Sequence, residues 1–274
     1  MASTESIPIF ELGVGETQAG LALSTEARWN QNEADWRFFL RTGSVFGVRD
    51  KDQLVATAAL LPYSSGNAWI SMVLVTANWR RRGIATRLVD TCLTKATKLG
   101  LTTWLDATPD GANVYGPLGF TPTLQLRRLR RENPEETRAT TALSTCSLDE
   151  FTARDRGAMG FERNLLLAEF AERSNTRILS NGDAMALVRD GRIARHIGPL
   201  FAETPQRALV LVDAIVHSEP GPWLLDAVNS QAEFLTGLTS SGWTIERPFQ
   251  RMRFGRATTR AEELPFAVVG PEFG

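Results

Sequence analysis

Two cysteines, two histidines and two tyrosines are all that 274 residues contain of those types. Cys92 and Cys146 lie far apart in no paired motif. Neither a disulfide framework nor a Cys/His zinc site has the residues it needs, so no metal is expected. So little cysteine reads as a reduced, intracellular chain, and the expected location is cytoplasmic. No apolar run approaches the roughly 20 residues that span a bilayer. The start, "MASTESIPIFELG", lacks a basic segment followed by an apolar one, so no secretory signal and no membrane partner are expected. Charge of one sign is also missing: 30 Lys and Arg face 31 Asp and Glu, a net charge of -1. A globally basic nucleic-acid binder does not fit that balance, which leaves only a local basic patch to consider. Apolar residues are abundant, at 43%. They suffice for one large domain or two of ordinary size.

The pattern of elements is mixed. Residues 15–42 read as one or two helices, with Ser24 and Thr25 as caps of the second and Gly43 as its end. "SVFGVRDKDQLVATAALLPYS" reads as two strands around a polar turn at 50–52. "AWISMVLV" (68–75) is apolar almost throughout, as a strand buried on both faces would be. Beyond Gly83, Ile84, Leu88, Cys92 and Ala96 recur every four residues, which predicts an amphipathic helix ended by Gly100. A strand over 101–108, a short helix closing at Gly119 and a final strand "TPTLQLRRLRR" follow. "RENPEETRATTA" is polar and charged, and residues 133–142 are the expected linker. Past it, "WLLDAVNSQAEFLTGLTSSGWT" echoes "WLDATPDGANVYGPLGFT": Leu-Asp-Ala, a short helix, then Gly, an aromatic and Thr. This reads as a diverged internal repeat. The basic run 127–131 has no interleaved aromatics and reads as a strand end entering a solvated linker.

The stretch "NWRRRGIATRLVD" (78–90) has a plain reading as a solvated charge run. Positive charge at a helix N-terminus opposes the macrodipole, however, and that position prefers anions. A glycine between a strand and a helix leaves backbone N–H groups free at the helix start, and arginines beside them supply matching charge. Together they describe a pyrophosphate site. No P-loop Gly-Lys-Ser/Thr is present, and the dinucleotide fingerprint would need three glycines where only Gly83 stands.

This stretch resembles the acetyl-CoA signature of the GCN5-related N-acetyltransferases (GNAT), Arg/Gln-x-x-Gly-x-Gly/Ala, here Arg80-x-x-Gly83-x-Ala85. "NVYGPLGF" resembles the second landmark of that family, a tyrosine four residues before Gly-Phe, here Tyr115, Gly119 and Phe120. The resemblance implies an α/β fold on a mixed sheet (α+β) with tandem GNAT-like domains. The first, at 1–132, carries the intact signature. The second, at 143–274 with a docking tail, is degenerate, because "FAETPQRAL" lacks the motif.

The activity implied is transfer of an acetyl group from acetyl-CoA, a cosubstrate, to a primary amine, most simply that of a small molecule. The alternative is a non-catalytic acyl-CoA sensor. In the family's scheme Arg80, Arg81, Arg82, Gly83, Ile84, Ala85 and Thr86 hold the pyrophosphate. Met72, Val73, Leu74 and Val75 pair with the pantetheine arm, Asn113 bonds it, and Tyr115 protonates the leaving thiolate. The central strand "WISMVLV" has no carboxylate to act as base. Glu26, Glu33, Asp35, a water relay and a carboxylate on Gly274 are the open choices. Trp29, Trp36 and Tyr63 are candidate pocket aromatics. His196 and His217 read as structural. The apolar tail "LPFAVVGPEFG" is expected to dock near the acceptor.

Overall fold

The computed structural model describes residues 7–132 and 141–274. Residues 133–140, most of the expected linker, lie outside them. The described residues form two similar series of elements. The first runs β1 (Phe10–Leu12), α1 (Thr17–Glu26), α2 (Glu33–Thr42), β2 (Ser44–Asp50), β3 (Gln53–Tyr63), β4 (Asn67–Val75), α3 (Ile84–Lys98), β5 (Thr102–Ala107), α4 (Pro109–Tyr115) and β6 (Thr121–Arg131). The second runs β7 (Ser144–Thr145), α5 (Leu148–Met159), α6 (Asn164–Ala171), β8 (Arg177–Asn181), β9 (Ala184–Asp190), β10 (Arg195–Phe201), α7 (Pro205–Ser218), β11 (Trp223–Val228), α8 (Ala232–Ser240) and β12 (Thr244–Phe254). A two-residue strand, β13 (Ala267–Val268), closes the series.

All thirteen strands share one mixed sheet, in the order β1-β2-β3-β4-β5-β12-β6-β11-β13-β10-β9-β8-β7. The last long strand of each series crosses over. β12 lies antiparallel between β5 and β6, and β6 lies antiparallel between β12 and β11. The "RRLRR" run is therefore not a solvated strand end. Arg128 and Leu129 are buried in the middle of the sheet.

Alternation along each strand feeds two faces. On β4, Ala68 and Ile70 join α3 in one core, with Leu88, Val89 and Cys92. Trp69 points the other way, into a core built by α1 and α2 together with α5 and α6 of the other series. The tail completes that shared core. Phe273 stacks on Phe39 at 4.8 Å and meets Phe170 edge-on at 5.2 Å.

Two helix boundaries depart from the sequence expectation. Ser24 and Thr25 lie inside α1 and do not cap α2. Asn32 caps it in a capping box with Asp35, which satisfies two N–H groups reciprocally. Gly43 does end α2, and Gly100 takes the left-handed conformation (φ +68°) just past α3.

The repeat appears in the structure as a matched pair of ion pairs. Asp106 on β5 accepts two bonds from Arg251 on β12, both 2.9 Å. Asp226 on β11 accepts two from Arg128 on β6, at 2.8 and 2.7 Å. Each Asp stands in a Leu-Asp-Ala, and each Arg stands on the strand that follows Gly-aromatic-Thr.

Candidate active site

β4 and β5 are parallel but pair only over Asn67↔Thr102, Ala68↔Thr103 and Trp69↔Trp104. Both strands continue, β4 to Val75 and β5 to Ala107, without further pairing, so a wedge opens between them. On the other side β4 shifts register against β3 between Thr57 and Ala59. Met72 sits within that bulge at φ +51°, a conformation that costs a non-glycine residue about 1–3 kcal/mol and is held only where its surroundings enforce it. The Thr57 hydroxyl contributes by donating to the Met72 carbonyl at 2.8 Å.

The wedge holds a cavity of about 90 Å³. That is several times the roughly 10–15 Å³ a cavity needs to admit one water. Met72 and Val73 line it from β4, Asp106 from β5, and Tyr115 from the end of α4. Trp29 and Gln31 line it from the segment between α1 and α2. The second series supplies Arg247, Phe249, Pro271 and Glu272. It also fixes the 29–32 segment. Asn30 accepts from the Ile193 and Ala194 amides at 3.0 Å, and Arg192 donates to the Trp29 carbonyl.

Burial pushes the Tyr115 hydroxyl above the ordinary phenol range, so it stays protonated. Burial also pushes the Asp106 carboxyl up, against the pull of Arg251. Burial acts the same way on Asp226, but Arg128 and a hydrogen bond with His196 (2.9 Å) outweigh it and hold that carboxyl below the ordinary range. Among the described residues Asp106 lacks a partner like His196, and the carboxylates of Asp226 and Glu272 push it further up. The strand position matching His196 is Trp69, whose indole N–H goes to the Pro271 carbonyl (2.9 Å) and whose ring lies 4.7 Å from the Arg251 guanidinium.

The arginine turn opens α3 next to the wedge. Gly83 is the N-cap in the left-handed conformation (φ +72°), with no side chain capping the helix. Arg80, Arg81, Arg82, Gly83 and Thr86 are exposed, Ala85 is half-buried, and Ile84 is buried in the core. Arg80 donates to the Val75 carbonyl and Arg82 to the Asn78 carbonyl, both at 3.0 Å. The helix start is thus bare while the guanidinium groups stand beside it. Glu26 accepts from the Ala77 amide at 3.0 Å, which buttresses this turn.

The second series is built differently at both places. Thr204 caps α7 by accepting from the Arg207 amide, and Pro205 at the first position has no N–H to offer. The wedge between β10 and β11 is filled: β13 pairs antiparallel with both strands, Ala267 facing Leu200 and Ala227.

Several sequence candidates fall away from the cavity. Glu33 pairs with Arg37 on the surface. Asp35 is buried in its capping box and bonded to Arg173 (2.7 Å). Gly274 is buried against Trp69, where its carbonyl accepts from Arg163. None of these three lines the cavity. Asn113 is exposed on α4, Leu74 is buried in the core, and neither it nor Val75 reaches the lining. Trp36 is a core residue bonded to Ser24, and Tyr63 donates to the Phe273 carbonyl (2.8 Å). Of the three aromatics only Trp29 lines the cavity. The tail docks there, through Pro271 and Glu272. His217 Nδ1 donates within α7 to the Asp213 carbonyl at 2.8 Å.

The sequence reading missed Gln31, Asp106, Arg247 and Glu272. A signal existed for Asp106: its repeat partner Asp226 stands in the same Leu-Asp-Ala. Arg247 and Glu272 come from distant segments that the crossed strand β12 and the docked tail bring in, and Gln31 from the α1–α2 segment that the second series fixes.

Among the described residues no helix is long and apolar enough to cross a membrane, and no cluster of His, Cys, Asp or Glu could hold a metal ion. The acetyltransferase (GNAT) family model matches residues 16–120, and an acetyltransferase (GNAT) domain model matches 152–267. The chain is similar to the uncharacterized N-acetyltransferase YitH of Bacillus subtilis (strain 168), 22% identical over 235 residues, 81% of this chain and 83% of that one. A Pyrococcus horikoshii protein solved as a candidate acetyltransferase superposes with a TM-score of 0.83 at 18% identity, over 100% of this chain and 98% of that one. A tandem GNAT protein from the clavulanic acid biosynthesis pathway gives 0.62 at 13%, over 91% and 99%. The chain belongs to the GNAT acetyltransferase family and consists of two such domains in tandem.

Proposed function

We propose that the protein transfers an acetyl group from acetyl-CoA to a small primary amine, with one working site, in the β4/β5 wedge. The observation that carries this reading is the wedge itself. An opened parallel pair, a bulge at Met72, a protonated Tyr115 and a bare helix start at Gly83 lie along one path. The free amides at 83–86, with Arg80, Arg81 and Arg82, suit a pyrophosphate. The β4 edge from Met72 to Val75, left unpaired by β5, suits the amides of a pantetheine arm, and a β4 N–H polarises the thioester carbonyl.

The neutral amine attacks that carbonyl, the C–N bond forms and the C–S bond breaks. Tyr115 gives its proton to the leaving thiolate, and the nitrogen loses one to a base. Glu272 is the base we assign. It lines the cavity, and while Oε1 accepts from Arg189 at 2.8 Å, Oε2 has no hydrogen bond among the described residues. Asp106 has both oxygens committed to Arg251.

The second domain has lost its coenzyme site in this reading, because β13 fills its wedge and Thr204 and Pro205 close its helix start. Its role is to build the acceptor side. Thiol release from acetyl-CoA with a panel of amines tests the proposal. Release that depends on an amine and falls about 10²- to 10⁴-fold in Tyr115→Phe supports it. Tight acetyl-CoA binding with no release for any amine refutes it, and favours a sensor.

A further inference from the structure

The cavity contains polar atoms that the protein itself leaves unanswered. Gln31 Oε1 and Ser71 Oγ are buried with no hydrogen-bond partner, in residues only 3% and 7% exposed. Arg247 Nε is also buried without one. Buried donors and acceptors are nearly always satisfied, so three around one small cavity mark positions that a ligand completes.

The charges narrow the ligand further. Three charged groups besides Arg247 line the space, and each is neutralised within the protein: Asp106 by Arg251, Arg128 by Asp226, Glu272 by Arg189. Arg247 has no ion pair among the described residues, although it is half-buried. Its guanidinium lies 5.7 Å from the centre of the Phe249 ring, which holds it in the wall.

We propose that the acceptor amine carries a carboxylate that pairs with Arg247, with Gln31 and Ser71 bonding the atoms between the two ends. The inference rests on the acetyl-transfer reading above. A guanidinium matches a carboxylate in a two-pronged bond. One free cation balances one negative charge, and the nearby carboxylates of Asp106 and Glu272 disfavour a phosphate dianion. The space, about 90 Å³ where roughly 10–15 Å³ admits one water, suits a small molecule on the scale of an amino acid.

The test compares amino acids with their own carboxamides, and with the matching aminophosphonates, as acceptors for the whole protein. The expected result is at least about tenfold higher kcat/KM for the carboxylates than for the carboxamides. In Arg247→Gln that preference shrinks to about twofold or less, through KM for the amine, with KM for acetyl-CoA unchanged. Equal use of acids and carboxamides by the unaltered protein overturns the inference alone, as does a preference for phosphonates. Failure of every amine to release thiol overturns the acetyl-transfer reading and the inference with it.

Discussion

Replacing Asp226 with Asn removes one charge and almost no volume. In the native sheet that carboxylate accepts from Arg128 at 2.8 and 2.7 Å and bonds His196 at 2.9 Å. Arg128 is 5% exposed, so Asp226→Asn leaves a buried guanidinium with no counter-charge and turns an amide N–H₂ toward other donors. Breaking a buried pair from one side costs about 3–5 kcal/mol. At roughly 2–4 °C per kcal/mol for a chain of this size, Tm should fall by about 6–20 °C. Urea unfolding at pH 7, followed by tryptophan fluorescence and far-UV circular dichroism, measures the loss directly. The two probes should coincide, because β6 and β12 each belong to the sheet of both domains. The double variant Arg128→Leu with Asp226→Leu removes both charges and should recover most of the stability. Acid adds a second readout. The Asp226 carboxyl is held below its unfolded value of about 4, so its contribution is complete above about pH 5 and is lost as pH falls through and below 4. The acid slope of Asp226→Asn should be shallower than that of the native protein. A loss under about 1 kcal/mol, as solvated pairs give, or two separate unfolding transitions, would refute the reasoning.

Gly83→Asp should raise the Kd for CoA by about a hundredfold or more by placing a carboxylate at the helix start. A Cβ there meets nothing within 4 Å, so despite φ +72° the Tm should fall by only a few degrees, at about 1 kcal/mol of backbone strain. Calorimetric titration should find one CoA per chain, and a stoichiometry of two would contradict a second wedge closed by β13. Burial raises the Tyr115 pKa, so the folded enzyme keeps this proton as pH rises past the ordinary phenol value. The kcat profile should therefore show no alkaline fall below about pH 10. A fall near pH 8–9 that disappears in Tyr115→Phe would count against its acid role.

Local chemistry made the elements legible. The four-residue spacing from Ile84 to Ala96 gave α3, and Gly83 and Gly100 marked its ends. The cap of α2 was misread because Ser24 and Thr25 are good capping types, whereas Asn32 and Asp35, three apart, carry the box. The turn at Gly83 and the landmark at Tyr115 could be found because each is a short contiguous motif. The acceptor side could not. The residues proposed for it are Gln31, Arg247 and Glu272; Gln31 stands more than two hundred positions before the other two, which strand exchange and a docked tail bring to it. A strand's own pattern does not say whose neighbour it is: "TPTLQLRRLRR" reads the same beside either partner. Only the burial of Arg128 reveals the choice, and a single basic residue in a basic run gives no sign of that.

The crossed strands also set a timetable for synthesis. β6 leaves the ribosome flanked by neither of its eventual neighbours, and β12 begins about 110 residues later; at roughly 5–20 residues per second the wait is on the order of ten seconds. Throughout it the nascent first domain presents β5 with an open edge, the kind of surface that pairs with whatever strand comes near. Arg127, Arg128, Arg130 and Arg131 then have a use before folding is complete. Four like charges on the waiting strand keep it from pairing with its own copy on a neighbouring polysome, until the strand carrying Phe249 and Arg251 arrives.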